Sequence, residues 1–433
     1  MNIKINLNNI RSIFFYSITT LMVFIYFYTP NIKFIPISLD KFLLIFLAIW
    51  ILIKRRNTFI SVLGNSYIFK LIFLYFIVLI YTISLDLIVQ DGIKISYHVS
   101  LYLIQYIPFS LGLFLFIDYY FQAKAIEVII KIFIVIIFIQ SLIGWFMFIS
   151  PDVKFFIYNI QSSDPANIYK GLILRGNGFS SGLAFSIPLI HGMFLGLIFL
   201  NIFIKPKLSH FIYFLFCLLI ALSNARIALI PILVIFPLIA FKFLSSLRFL
   251  SLVKFTGIAI LAFYILYILS INSVFFSENI DNLQKIVDWI IGGYLNLFGL
   301  DQSGNKENIT SILMSQINFN TELIPLFFGE GVNAFSSISN QSDIGLVNLI
   351  AFGGIFYFLA VHFVTYYSLY MGYINSSINS YRFMILFICI CYFAASLKGI
   401  VFTEQILGRF LILVITFPIL DRGVGTIKSK LSQ

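Results

Sequence analysis

The segment Leu222-Ser-Asn-Ala-Arg226-Ile sets a guanidinium beside a hydroxyl and an amide within otherwise apolar sequence. Residues 210–243 number 34, and two full membrane crossings would need about 40. Two helices in that length must be short, thinning the membrane locally or meeting below its outer surface. Either arrangement draws Arg226 into a bundle beside Ser223 and Asn224. A buried arginine there needs an anionic partner, from the protein or from a ligand. The alternative is an arginine that snorkels to the interface from a helix end.

Three further clusters carry comparable chemistry. Arg175-Gly-Asn177-Gly178, followed by Ser180, Ser181 and Gly182, can present backbone N–H groups and a guanidinium to a phosphate, or can be an ordinary glycine turn before a span. Phe328-Gly-Glu330-Gly331 precedes Ser342-Asp343-Ile-Gly345 and a span holding Asn348 and Gly353-Gly354. Asp343 stands where a helix begins, so it can serve as an N-cap or as a carboxylate whose burial suits it to general-base work. Lys398, Glu404 and Arg409 gather around a late turn; Glu404 and Lys398 can pair, whereas a cation one turn inside an apolar run faces a polar cavity rather than lipid.

Other chemistries find no support. His98, His191, His210 and His362 are scattered without metal-ligand spacing, and no acidic cluster has such spacing, so no metal is expected. Asp281 and Asp288 share a helical face and read as solvated surface. No nucleotide-binding fingerprint is present and no cofactor is expected, so energy must come from the substrate or a gradient. Cys217, Cys389 and Cys391 all fall in apolar runs and read as small core residues.

These clusters need a membrane scaffold to position them. With 61% hydrophobic, 18% aromatic and 10% charged residues over 433 positions, the chain has too little polar surface to coat a soluble globule. Apolar runs long enough to cross a bilayer recur throughout, which predicts an all-α polytopic bundle. Breakers and charges delimit about twelve spans, near 13–28, 34–53, 67–89, 97–117, 127–149, 178–204, 210–222, 226–243, 255–276, 343–371, 381–401 and 404–420. Lys4 and Arg11 precede the first run with no small-residue cleavage site after it, so an uncleaved first span is expected.

The net charge of +11 reflects topology rather than nucleic-acid binding, because the basic residues sit in short connections. Lys54, Arg55, Arg56, Lys205, Lys207, Arg248, Lys254, Lys428 and Lys430 fall on the side of the N-terminus, which predicts cytoplasmic termini. About 17 of the 28 Lys and Arg but only Asp118, Glu127 and Asp421 among the 17 acids lie on that side, roughly +14 inside and −3 outside. The chain is read as one integral membrane domain, 1–433, with two long outer connections at 150–177 and 277–342. Helix-to-helix connections are usually about 2–8 residues. The longer one holds apolar stretches at 286–300 and 309–319 that predict short helices at the membrane surface. No internal repeat stands out, which weakens a transporter built from duplicated halves.

Taken in order, R-G-N-G-F-S-S before one span, L-S-N-A-R at a helix junction, and F-G-E-G with S-D-I-G-L-V-N and then G-G after a long loop resemble the O-antigen polymerase and ligase family, and most closely its Wzy-type polymerase branch. The resemblance implies a GT-C-like bundle in the bacterial inner membrane with an active site facing the periplasm. It implies inverting, metal-independent transfer of a glycan from undecaprenyl diphosphate onto the next lipid-linked repeat unit, and a partner protein that controls chain length. The outer-face residues suit that chemistry: Arg226, Arg175 and Arg409 can supply fixed donors to the diphosphate, with Asn177, Lys398 and Glu404 as further substrate-binding candidates, and Asp343, or second Glu330, is the carboxylate expected as general base. The ligase branch carries a histidine where this chain has Asp343. Two other readings stay open: a ligase transferring finished glycan, and a flippase for the same lipid-linked units, which should show pseudo-symmetric halves and short outer loops.

Overall fold

The structure is a computed structural model that describes residues 7–30, 32–35, 38–88, 95–121, 124–161, 186–204, 207–246, 322–329, 345–397, 402 and 404–431. The expected helices at 286–300 and 309–319, and the span at 255–276, lie outside these residues. The described residues form helices joined by short turns, with no strand among them. Among the described residues, five helical stretches are long and apolar enough to cross a membrane: Ser66–Leu87, Ile95–Phe121, Ala125–Met147, Gly345–Asn375 and Asn379–Ser396. Three shorter apolar stretches join them, Ser12–Tyr28, Ser186–Ile202 and Leu208–Leu222. The chain divides into two compact units.

The first unit comprises residues 1–136, 180–182 and 316–433. Its helices are α1 (Leu7–Tyr28), α2 (Leu39–Lys54), α3 (Arg56–Leu63), α4 (Ser66–Ile88), α5 (Ile95–Leu101), α6 (Ile107–Phe121) and the start of α7 (Ala125–Ile149). Later in the chain come α12 (Leu323–Phe328), α13 (Gly345–Asn375), α14 (Asn379–Ser396) and α15 (Gln405–Leu431). Two helices make its centre: α6 is buried from Ile107 through Phe109–Asp118 save Pro108, and α15 is buried on every side from Ile406 to Leu420. Aromatic pairs lock the neighbours to them, with Tyr26 stacked on Phe109, Trp50 against Phe116 and Phe114 edge-on to Phe417.

Those contacts also fix helix directions. Tyr26 meets Phe109 and Phe15 meets Tyr120, so α1 and α6 are antiparallel. Leu47 lies against Gly112 and Arg55 against Asp118, so α2 and α6 are parallel. Tyr102 reaches Phe402 and Phe114 meets Phe417, which sets α15 parallel to both. Outward faces are apolar rather than charged: Phe42, Ile45, Ile49 and Ile53 on α2 and Phe69, Phe73, Phe76, Ile80 and Leu87 on α4 are exposed at helical spacing. A helix that turns such a stripe outward is solvated by lipid.

Between α5 and α6 the helix widens by one residue over Tyr102–Tyr106, the Ile107 N–H donating to the Tyr102 carbonyl. Pro108 is the cause: it has no N–H for the carbonyl of residue 104 and its ring crowds that carbonyl, so the preceding turn expands. The bulge turns Tyr102, Gln105 and Tyr106 into the interior, where all three are buried.

The second unit comprises residues 137–179 and 183–315. It holds the rest of α7, then α8 (Pro151–Ile160), α9 (Ser186–Ile204), α10 (Leu208–Asn224), a 3-10 turn at Arg226–Ala228 and α11 (Leu229–Ser246). Ser150 caps α8, its Oγ accepting from the Val153 N–H at 3.4 Å, with Pro151 in the first helical turn. Tyr158 and Ile157 fold back onto Met147, so the first long connection begins as a helix laid against the end of α7. Burial pushes the Lys154 ammonium on this helix down to about 8.

Candidate functional site

Within the first unit the charged centre is Arg409, in the first turns of α15 and 2% exposed. Its Nη2 lies 2.7 Å from Asp40 Oδ2 and donates to Gln105 Oε1 at 3.4 Å, and its Nη1 donates to the Tyr26 carbonyl. Gln105 Nε2 donates to the same Asp40 oxygen at 2.6 Å. The guanidinium also lies over the rings of Tyr26 and Tyr106, at 4.8 and 5.5 Å from their centroids. Each element supplies its part for a local reason: the bulge delivers Gln105 and Tyr106, the start of α2 delivers Asp40, and the last turn of α1 offers a carbonyl free of helix bonding. Buried ions persist when opposite charge and hydrogen bonds act together, and here both guanidinium Nη atoms are bonded while Nε is buried without an acceptor.

Beside this cluster Phe402, which precedes α15, is buried in the bundle. Tyr102 Oη donates to the Phe402 carbonyl at 2.7 Å, and the rings of Tyr75, Tyr102 and Phe402 stack in one layer. The Ser96 N–H donates to Asp86 at 2.8 Å and marks where the α4–α5 hairpin is tied. Tyr102 lies six residues along from Ser96, so the turn holding Phe402 sits about 9 Å below that tie. Glu404 is half-buried at this recessed turn, and its carbonyl accepts from the Gly408 N–H to start α15.

The opposite end of the unit carries a weaker pair. Arg55 Nη2 lies 3.5 Å from Asp118, with the guanidinium over Tyr119. Both residues belong to connections that the charge distribution assigns to one side, and α2 and α6 bring them to one end of the bundle.

Within the second unit the L-S-N-A-R segment breaks the helix. Asn224 ends α10, Ala225 is extended with φ −164° and ψ 144°, and Arg226–Ala228 forms the 3-10 turn before α11. The break is held against α9 at Gly192, where an added Cβ would stand 2.3 Å from the Ala228 carbonyl oxygen, so only glycine admits the contact. Gly192 lies twelve residues from Ile204, about 18 Å from that end of α9, and Asn224 about 24 Å from the start of α10. Both heights fall short of a hydrocarbon core about 30 Å thick. Asn224 and His191 are buried at this level. The Arg226 backbone occupies the turn.

Of the residues singled out in the sequence, Arg409 lies in the first turns of α15 with Glu404 immediately before that helix, and Arg226 stands on its helix break. Arg175, Asn177, Glu330, Asp343 and Lys398 lie outside the described residues. Asp40 and Gln105, which complete the Arg409 cluster, were not marked by spacing, because their partner is 369 and 304 residues away. The signal that could have found Asp40 is a lone carboxylate at the head of an apolar run, which asks for a cation.

Comparison with known proteins finds no matching family model and no matching curated protein, so chemistry and geometry alone bear on function.

Proposed function

We propose that this chain is a membrane glycosyltransferase of the Wzy type, polymerising undecaprenyl-diphosphate-linked oligosaccharide units at the outer face of the bacterial inner membrane. The observation that supports the reading is the helix break at Ala225–Ala228, an arginine-bearing turn packed on Gly192 of α9 within less than one full membrane crossing. A lipid-linked diphosphate enters sideways from the bilayer and needs a fixed cation at that depth. The reading takes twelve spans with cytoplasmic termini in a GT-C-like bundle, and the antiparallel course of α1 and α15 agrees with an even number of crossings.

In this mechanism the acceptor sugar hydroxyl attacks the anomeric carbon of the donor glycan from the face opposite the diphosphate. The bond from that carbon to the phosphate oxygen breaks and configuration inverts. Asp343, with Glu330 as the second choice, takes the hydroxyl proton. Arg226 and Arg175 are assigned to hold the departing diphosphate, whose charge grows as the bond breaks, with Asn177 and Lys398 assigned to substrate binding. No metal or cofactor enters the step. Arg409, expected as a donor to the diphosphate, already commits its guanidinium to Asp40, Gln105 and the Tyr26 carbonyl, so its part here is to hold the head of α15 in the bundle. The loop at 277–342 covers the saccharide and excludes water, and a chain-length regulator is the expected protein partner.

The test uses purified protein in nanodiscs with a lipid-diphosphate-linked repeat unit. A glycan ladder that Arg226→Ala and Asp343→Asn each abolish supports the assignment. Transfer of one finished glycan to a lipid A core would make it a ligase. Movement of the lipid across a vesicle membrane without a ladder would make it a flippase and assign the arginines to a transport cavity.

A further inference from the structure

The segment Glu322–Gly329 lies late in the long connection yet packs against α13. Its helix, α12, reads L-I-P-L-F-F and has no buried residue; Leu323, Ile324 and Phe328 are 72%, 74% and 53% exposed. Its far end is nevertheless clamped by backbone. Gly329 has φ 83°, and an added Cβ there would stand 2.4 Å from the Phe352 carbonyl oxygen. Gly354 has φ 72° and ψ −176°, which kinks α13, and its Cβ would stand 2.2 Å from the Phe327 carbonyl oxygen. Both positions admit only glycine, for conformation and for space. Phe327 and Phe328 further pack on the Phe356 ring, at 5.5 and 5.3 Å.

The height of this clamp follows from two helices. Gly354 is nine residues into α13, about 13 Å below its start at Gly345. Tyr81 Oη donates to the Gly353 carbonyl at 3.0 Å, and Tyr81 is seven residues, about 10 Å, from the end of α4. Stretches within both helices are long and apolar enough to cross a membrane. The clamp therefore lies roughly 10–13 Å from the ends of two helices that are each at least as long as a hydrocarbon core about 30 Å thick, which sets it within the outer half of that layer. Irregular backbone at that depth must be satisfied by protein. The Tyr81 hydroxyl does this for Gly353, whose helix is interrupted.

We propose that residues 322–329 re-enter the membrane from the long connection as a half-inserted segment docked on the α13 kink, its Leu323, Ile324 and Phe328 face covered by acyl chains of the leaflet on that side. The occupant is the bilayer because the face is wholly apolar, stands at hydrocarbon depth and continues the outward apolar surface of Phe356 and Leu359 on α13. The inference is independent of the glycosyltransferase reading, and its test needs no substrate.

The experiment is collision spin-label spectroscopy on full-length protein in phosphatidylethanolamine–phosphatidylglycerol vesicles, with Cys217, Cys389 and Cys391 replaced by alanine. Labels go singly at Ile324→Cys, at Ile80→Cys on the exposed face of α4, and at Lys33→Cys in the exposed α1–α2 turn. The expected result is a ratio of oxygen to aqueous nickel-chelate collisions at 324 equal to that at 80 and several-fold above that at 33. A ratio at 324 matching that at 33 overturns insertion. Shielding from both reagents overturns the lipid as occupant, because protein then covers the face. Adding Gly354→Ala should shift 324 toward the value at 33; an unchanged ratio in that folded variant overturns the clamp.

Discussion

Replacing Asp40 with asparagine keeps the shape of the buried cluster and removes its only negative charge. Arg409, 2% exposed, then retains bonds to the Tyr26 carbonyl and Gln105 but loses a partner at 2.7 Å. Breaking one side of a buried pair costs about 3–5 kcal/mol, because the remaining charge stays desolvated. Removing only the supporting amide, in Gln105→Leu, leaves the pair intact and costs about 1–3 kcal/mol. The double change Asp40→Leu with Arg409→Met leaves neither charge and should recover most of the loss. Unfolding in mixed micelles of rising dodecyl sulfate content measures all four proteins, read through Trp50, which packs on Phe116 in the same unit. The reasoning is refuted if Asp40→Asn lies within about 1 kcal/mol of the parent, or if the double variant is no better than the single ones.

Arg55→Ala tests the contrasting end, where the pair is longer and partly solvated; a loss of about 1 kcal/mol in the same assay is expected. Gly192→Val forces the break at Ala225–Ala228 away from α9, so transfer activity should fall at least tenfold in the ladder assay while the protein still purifies as a monodisperse species. For topology, an impermeant maleimide added to intact cells should modify Lys33→Cys and spare Asn57→Cys, which reacts only after permeabilisation, both sites being exposed. Lys154, whose ammonium is pushed down to about 8 from its ordinary 10.5, gives a pH signature. Between those values the unfolded chain binds a proton that the fold has released, so stability rises with pH across the window. Thermal unfolding of Lys154→Met in detergent should lack that rise.

Much of the scaffold was legible because hydropathy is local. Apolar runs predict helices wherever lipid or core receives them, and the shortness of 210–243 foretold the junction that Ala225 and the turn at Arg226–Ala228 now form. Arg409 announced itself as a cation inside an apolar run. Its partner did not, since pairing over hundreds of residues leaves no periodic trace. The glycines at 329 and 354 were visible as motifs, but their purpose is steric: they let one backbone rest on another, and no pattern along one strand of sequence states what will approach it. The widened turn at Tyr102–Tyr106 follows from Pro108, which read as an ordinary residue of an apolar run.

The burial of α15 on all sides has a consequence for biogenesis. The helix around which the first unit packs is made late: Arg409 follows Asp40 by 369 residues, which at about 5–20 residues per second is a wait of roughly 20–70 s. Until then α1, α2 and α6 surround a vacant groove with an unneutralised carboxylate at its head. Such an intermediate suits recognition by an insertase or a membrane protease, which could tell finished chains from arrested ones by whether that carboxylate has been claimed. Ribosome stalling before residue 405 should thus yield products degraded rapidly, and supplying α15 as a separate peptide should rescue them.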